Sequence, residues 1–150
     1  MLAGSPVSQL DEKKLVSCVS DVTAAICGIK FMPGSLVEGD AWIAACLPIK
    51  GGVPITIALL SDESCSRALA AGMLQMEPHD LDRLLIEDTL REILNMVAGQ
   101  VKTALNLDQA LGLPTIVAPA ELNNRLANGS RRIGLASGPL SLMLALAPGP

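Results

Sequence analysis

Aromatic side chains are nearly missing from this chain, whose 150 residues hold one Trp, one Phe and no Tyr. A surface that stacks unpaired bases needs such rings, and a net charge of -4 opposes a polyanion. Nucleic acid is therefore excluded as a partner. Histidine is just as scarce. His79 stands alone beside Pro78, which leaves out a His-rich metal site and any Ser/His/Asp or Cys/His catalytic set. Cys18, Cys27, Cys46 and Cys65 form no Cys-x-x-Cys pair and lie in apolar or helical stretches. Reduced core thiols in a cytoplasmic protein are expected, with no metal or cofactor of the chain's own. No Gly-rich loop opens a helix, so the phosphate cradle of nucleotide-binding folds is missing. The N-terminus lacks the basic, apolar and small-residue order of a secretory leader. The uncharged stretch from Ile133 to Pro150 is broken by Gly134, Ser137, Gly138 and Pro139, and its last apolar run is too short to span a bilayer as a helix. No membrane partner is expected.

What is present is apolar patterning, with half of the residues hydrophobic. The length suits one domain over residues 1–150, with residues 1–7 as a loose tail. Ser8-Gln9-Leu10-Asp11 resembles a capping box, and Leu15, Val19, Val22 and Ile26 then form a helical stripe that Gly28 can cap. Two alternating strands, Trp42 to Ile49 and Val53 to Leu60, flank Gly51-Gly52 as a hairpin. Ser61 or Asp62 starts a helix that runs to about Leu74. A long helix follows, from about Asp80 to Leu105, capped by Asp80 or Asp82. Its stripe is Ile86, Leu90, Ile93, Leu94, Val97, Val101, Ala104 and Leu105. Leu113 to Ala118 reads as a short strand ended by Pro119, and Glu121 to Ser130 as a polar loop that can hold a turn of helix. A second hairpin joins Arg132 to Ala136 and Leu140 to Ala147 about Ser137-Gly138-Pro139. The order of elements predicts an α+β fold: a mainly antiparallel sheet with long helices packed on it, built as two helix–hairpin units. The strand 140–147 carries no charge, so it must be buried or paired, within the chain or in a homodimer.

Chemistry concentrates on the long helix. At about 100° per residue, Asp88, Glu92, Asn95, Gly99 and Lys102 point away from the apolar stripe. Gly99 costs a helix about 1 kcal/mol relative to Ala and no core contact asks for it. It leaves a bare patch where another surface can approach the backbone. A solvated polar face with one tolerated glycine is the plain alternative. Neither a carboxylate nor a carboxamide is a strong base. The pair makes sense if a partner brings the metal and the phosphoryl group, because phosphoryl transfer depends mostly on positioning and electrostatics.

The run Glu92-Ile93-Leu94-Asn95-Met96-Val97-Ala98-Gly99 resembles the signature helix of the CheC/CheX/FliY chemotaxis phosphatases, in its CheX form. The resemblance covers most of the chain. It implies a CheC-like fold and removal of phosphate from the aspartyl-phosphate of a CheY-like response regulator. On that reading Asn95 orients the hydrolytic water and Glu92 engages a regulator Lys, while Asp88, Met96 and Gly99 belong to the partner-binding surface. Mg²⁺ is held by the regulator, and the CheX form implies a homodimer with one site per chain. Laid over the long helix, the first helix puts Asp21 on Glu92, Ala24 on Asn95 and Gly28 on Gly99. A second site there lacks its Asn. Two other readings stand beside it: a non-catalytic adaptor that binds a response regulator or flagellar switch component through the same face, and a purely structural dimerisation domain.

Overall fold

The computed structural model describes residues 10–35, 41–126 and 130–149. The expected tail, residues 1–7, and Ser8 of the expected capping box lie outside them. The first helix, α1 (Glu12–Cys27), is instead capped by Asp11, whose carboxylate accepts the Lys14 N–H at 2.7 Å. It ends at Gly28, whose φ of 72° is the left-handed conformation that lets its N–H turn back to the Thr23 carbonyl. The chain then passes through β1 (Met32–Pro33) into the first hairpin, β2 (Ile43–Lys50) and β3 (Ile55–Ser61). Asp62 caps α2 (Glu63–Leu74) and Asp82 caps α3 (Arg83–Ala104), each accepting an N–H three residues on. Two short strands follow, β4 (Ala110–Leu111) and β5 (Thr115–Val117), then α4 (Pro119–Arg125). The second hairpin, β6 (Arg131–Ser137) and β7 (Leu140–Pro148), completes the described elements.

The strands form one antiparallel sheet in the order β1-β6-β7-β3-β2-β4, with β5 also on β2. The two hairpins meet at the β3–β7 seam, where Ala58 faces Ala145 and Leu59 faces Leu144. The pairing that strand 140–147 needs is met inside the chain, since β7 has a neighbour on each side. The expected α+β architecture, with two hairpins and a short strand at 115–117, is what folds.

Alternation decides which side of each strand meets the long helices. Ile43, Ala45, Leu47 and Ile49 of β2 and Leu142, Leu144 and Leu146 of β7 turn toward α1, α2 and α3, in a core that includes Leu15, Val19, Leu69, Ile86, Leu90, Ile93 and Val97. Burying a side chain of that size stabilises by about 1.5–3 kcal/mol. Gly72 lets α2 approach α1 closely: a Cβ on it would stand 2.2 Å from the Cys27 carbonyl oxygen.

The other side of the sheet corrects the expectation of a polar loop after Glu121. Pro119 ends no strand here; it opens α4. Its missing N–H costs nothing at a first helical position. Leu122 and Leu126, one turn apart, bury against Ala44, Cys46, Leu60, Met143 and Ala145. The middle of the sheet is therefore buried on both sides. The four cysteines are free thiols and all are buried. Among the described residues, no helix is long and apolar enough to cross a membrane.

Candidate functional site

Helix α3 owes its position to the residues at its start. Arg67 of α2 donates to the carbonyls of Pro78 and Leu81 at 3.2 and 3.0 Å, fixing the turn before the helix. The Arg83 guanidinium lies 4.2 Å from the centre of the Trp42 ring, tying the first turn of α3 to the approach to β2. From there the 3.6-residue repeat buries Ile86, Leu90, Ile93, Leu94, Val97, Ala98 and Val101. The opposite side stays out: Asp88, Glu92, Asn95 and Met96 are exposed and Gly99 is half-buried. Of the residues expected on one exposed face, Asp88, Glu92 and Asn95 are exposed, while Gly99 and Lys102 are half-buried.

Their partners differ in a way the sequence does not show. Helix α3 carries three acidic residues, Glu87, Asp88 and Glu92. Glu87 accepts from Arg83 at 3.0 Å and lies 3.8 Å from Arg91. Asp88 accepts from Arg91 at 2.6 Å. Glu92 has no ion pair or hydrogen-bond partner through its side chain among the described residues, and neither has Asn95. A free carboxylate and a free carboxamide thus stand one turn apart on a helix whose other acids are neutralised. Arg91 is the residue that sequence reasoning missed. Its i,i+3 and i,i+4 spacing from Asp88 and Glu87 was the available signal.

Gly99 adds a gap to this surface. A Cβ built there would meet nothing within 4 Å, so packing gives no reason for the glycine. The Thr103 hydroxyl donates to the Gly99 carbonyl at 3.0 Å, one turn further on. Beside this end of α3, a cavity of about 250 Å³ is lined by Lys14, Cys18 and Asp21 of α1 and by Gln100 and Thr103. Asp21, the residue laid over Glu92, is exposed there, and Ala24 presents only a methyl group where α3 has its amide.

The family model for the chemotaxis phosphatase CheX matches residues 43–136, a span that runs from the start of β2 into β6 and holds all of α3. Among curated proteins none matches the sequence. Solved structures similar to the chain include the chemotaxis protein CheX from Vibrio vulnificus, with 13% identity, 98% of this chain and 100% of that one covered, and a TM-score of 0.76. A second is the complex of CheX with CheY, BeF3 and Mg²⁺ from Borrelia burgdorferi, with 18% identity, 95% and 100% coverage and a TM-score of 0.72. A third is FliY from Thermotoga maritima, with 11% identity, 99% and 92% coverage and a TM-score of 0.65. These likenesses speak for the fold. The sequence match spans the helix and most of the sheet described above, and on it the chain belongs to the CheX family of chemotaxis phosphatases, in the CheC/CheX/FliY group.

Proposed function

We propose that this chain hydrolyses the aspartyl phosphate of a CheY-type response regulator, with Asn95 and Glu92 as the working pair. The observation that carries the reading is the unpartnered state of both side chains on a helix face whose neighbouring acids are ion-paired. A carboxamide both accepts and donates, so Asn95 can take a hydrogen bond from a water while its N–H₂ meets the phosphoryl oxygens. Water then attacks phosphorus in line with the bond to the aspartyl oxygen. That bond breaks, the Asp carboxylate leaves with its electron pair, and the water proton ends on inorganic phosphate. Glu92 meets a cation of the regulator, a Lys ammonium in the family pattern, and holds the two proteins in register. Asp88, Met96 and Gly99 complete the contact, and Gly99 lets the partner's backbone come close.

The reading assigns Mg²⁺ to the regulator, where it neutralises charge on the phosphoryl group. The Borrelia burgdorferi relative, crystallised with CheY, BeF3 and Mg²⁺, supports this assignment. One site per chain follows from Ala24, which offers no amide on α1. A homodimer belongs to the same reading, and light scattering at high concentration tests it: a monomer throughout removes it. For the activity, the chain is mixed with a phosphorylated CheY-type regulator and phosphate loss is followed over time. The proposal expects acceleration by the native protein and none by Asn95→Ala. Binding without acceleration by the native protein would make it an adaptor instead.

A further inference from the structure

Leu84 breaks the pattern of α3. Its neighbours Leu81 and Ile86 are buried and Leu85 is half-buried, so the apolar side of the first turn is already filled. Leu84 itself is 68% exposed. Around the helix it falls on the same side as Asp88 and Asn95, and it precedes Glu92 by about 12 Å along the axis. Met96, 36% exposed, lies beyond the pair. Leu84 and Met96, two apolar side chains that the core does not use, thus flank the free carboxylate along the axis, about 120° apart around the helix. The whole stripe from Leu84 to Gly99 is about 22 Å long. A standard protein–protein contact buries about 800 Å² on each partner, a patch of about 16 Å radius. A patch of that size centred on Glu92 reaches Leu84. A second copy of this chain centred on Leu84 would cover Glu92, about 12 Å away, and block the site, so the occupant is the body that the site serves.

The geometry points to Leu84 as a docking residue for the response regulator, an apolar anchor at the N-terminal end of the surface that carries Glu92 and Asn95. The inference rests on the function proposed above. It adds the chemistry of the partner's surface: a cation opposite Glu92 and, about 12 Å away along the α3 axis, an apolar side chain or hollow that receives Leu84. An apolar side chain desolvated there adds binding energy, while the charged groups fix register.

The test uses the CheY-type regulator of the same organism, loaded with beryllofluoride and Mg²⁺ for binding and phosphorylated for turnover. Leu84→Ser should raise Kd and KM by about tenfold, the scale expected for losing one buried leucine. Its kcat and melting temperature should stay as in the native protein. Leu84→Met should keep most of the affinity. Leu113→Ser serves as the control, because Leu113, at 83%, is the other strongly exposed leucine among the described residues and lies between β4 and β5, not on α3. It should change nothing. A Leu84→Ser protein that binds as tightly as the native one overturns the inference. A native protein that binds the regulator but does not speed phosphate loss would overturn the phosphatase reading and leave the Leu84 comparison decisive through Kd. A native protein that does not bind would overturn both.

Discussion

Arg91 reaches Asp88 at 2.6 Å and leaves Glu92, its immediate neighbour in sequence, without a partner. One cation thus sorts two carboxylates a turn apart into a closed pair and an open acceptor. Asp88 is 72% exposed, and exposed pairs of this kind contribute only about 0.2–1 kcal/mol to stability. The pair's consequence is for recognition. Asp88→Asn should weaken regulator binding less than Glu92→Gln does, because the Asp88 charge is already answered. Isothermal titration with the beryllofluoride-loaded regulator measures both. An equal or larger loss at Asp88 would mean that Arg91 lets go of it on docking.

Asn95 carries no packing in the fold, and Ala is the better helix former by up to about 0.7 kcal/mol. Asn95→Ala should melt at the native temperature or slightly above it. It should bind the regulator and fail to dephosphorylate it. A thermal melt beside a phosphate-release assay separates the two roles. A large drop in melting temperature would make Asn95 structural.

Gly99 and Gly72 make opposite predictions. A methyl group at Gly99 enters open space, so Gly99→Ala should stabilise by up to about 1 kcal/mol and raise Tm by about 2–4 °C. The same methyl should weaken regulator binding if the bare patch serves close approach. At Gly72 the added carbon would collide with the Cys27 carbonyl. Gly72→Ala should cost about 1–3 kcal/mol as α2 is pushed off α1. Denaturant titration of both variants checks the pair.

Burial pushes the Cys65 thiol up to about 12 and Cys27 to about 11. Their thiols stay protonated in the native state, whereas an unfolded chain ionises them near pH 9. Stability from this source is fully present below about pH 9 and is lost as the pH rises from there toward 11 and 12. Urea titrations at pH 7.5 and pH 10 should show a lower midpoint at pH 10. The gap should narrow in a Cys27→Ala, Cys65→Ala double variant. A gap of unchanged size would place the loss on other groups.

Much of the candidate site is legible in the sequence because it depends on one helix. Asp82 caps it, the apolar repeat turns it, and those two facts alone put Glu92, Asn95 and Gly99 on the outside. The hairpins were legible for a similar reason: Gly51-Gly52 and Ser137-Gly138-Pro139 bring neighbouring segments together. Where partners are distant in sequence, the pattern is silent. β1 has two residues and no periodicity, and its partner β6 lies about a hundred positions away. Helix α4 hides behind Pro119, which reads as an ending and acts as a beginning. Arg91 has acids within reach on two turns of α3, and only the folded geometry shows that Glu92 is the acid left open.

The lacing of the sheet has a consequence for synthesis. β1 follows α1 but pairs with β6 of the other hairpin, and β5 follows α3 but pairs with β2. β7, last of the seven described strands in chain order, stands in the middle of the sheet. A ribosome making this chain releases the β2–β3 hairpin long before anything can cover the free edge of β3. That edge, Ile55–Ser61, is wholly buried in the finished fold. Until β7 emerges, the nascent chain therefore exposes an apolar strand awaiting a partner, the kind of surface that chaperones hold and that aggregation exploits.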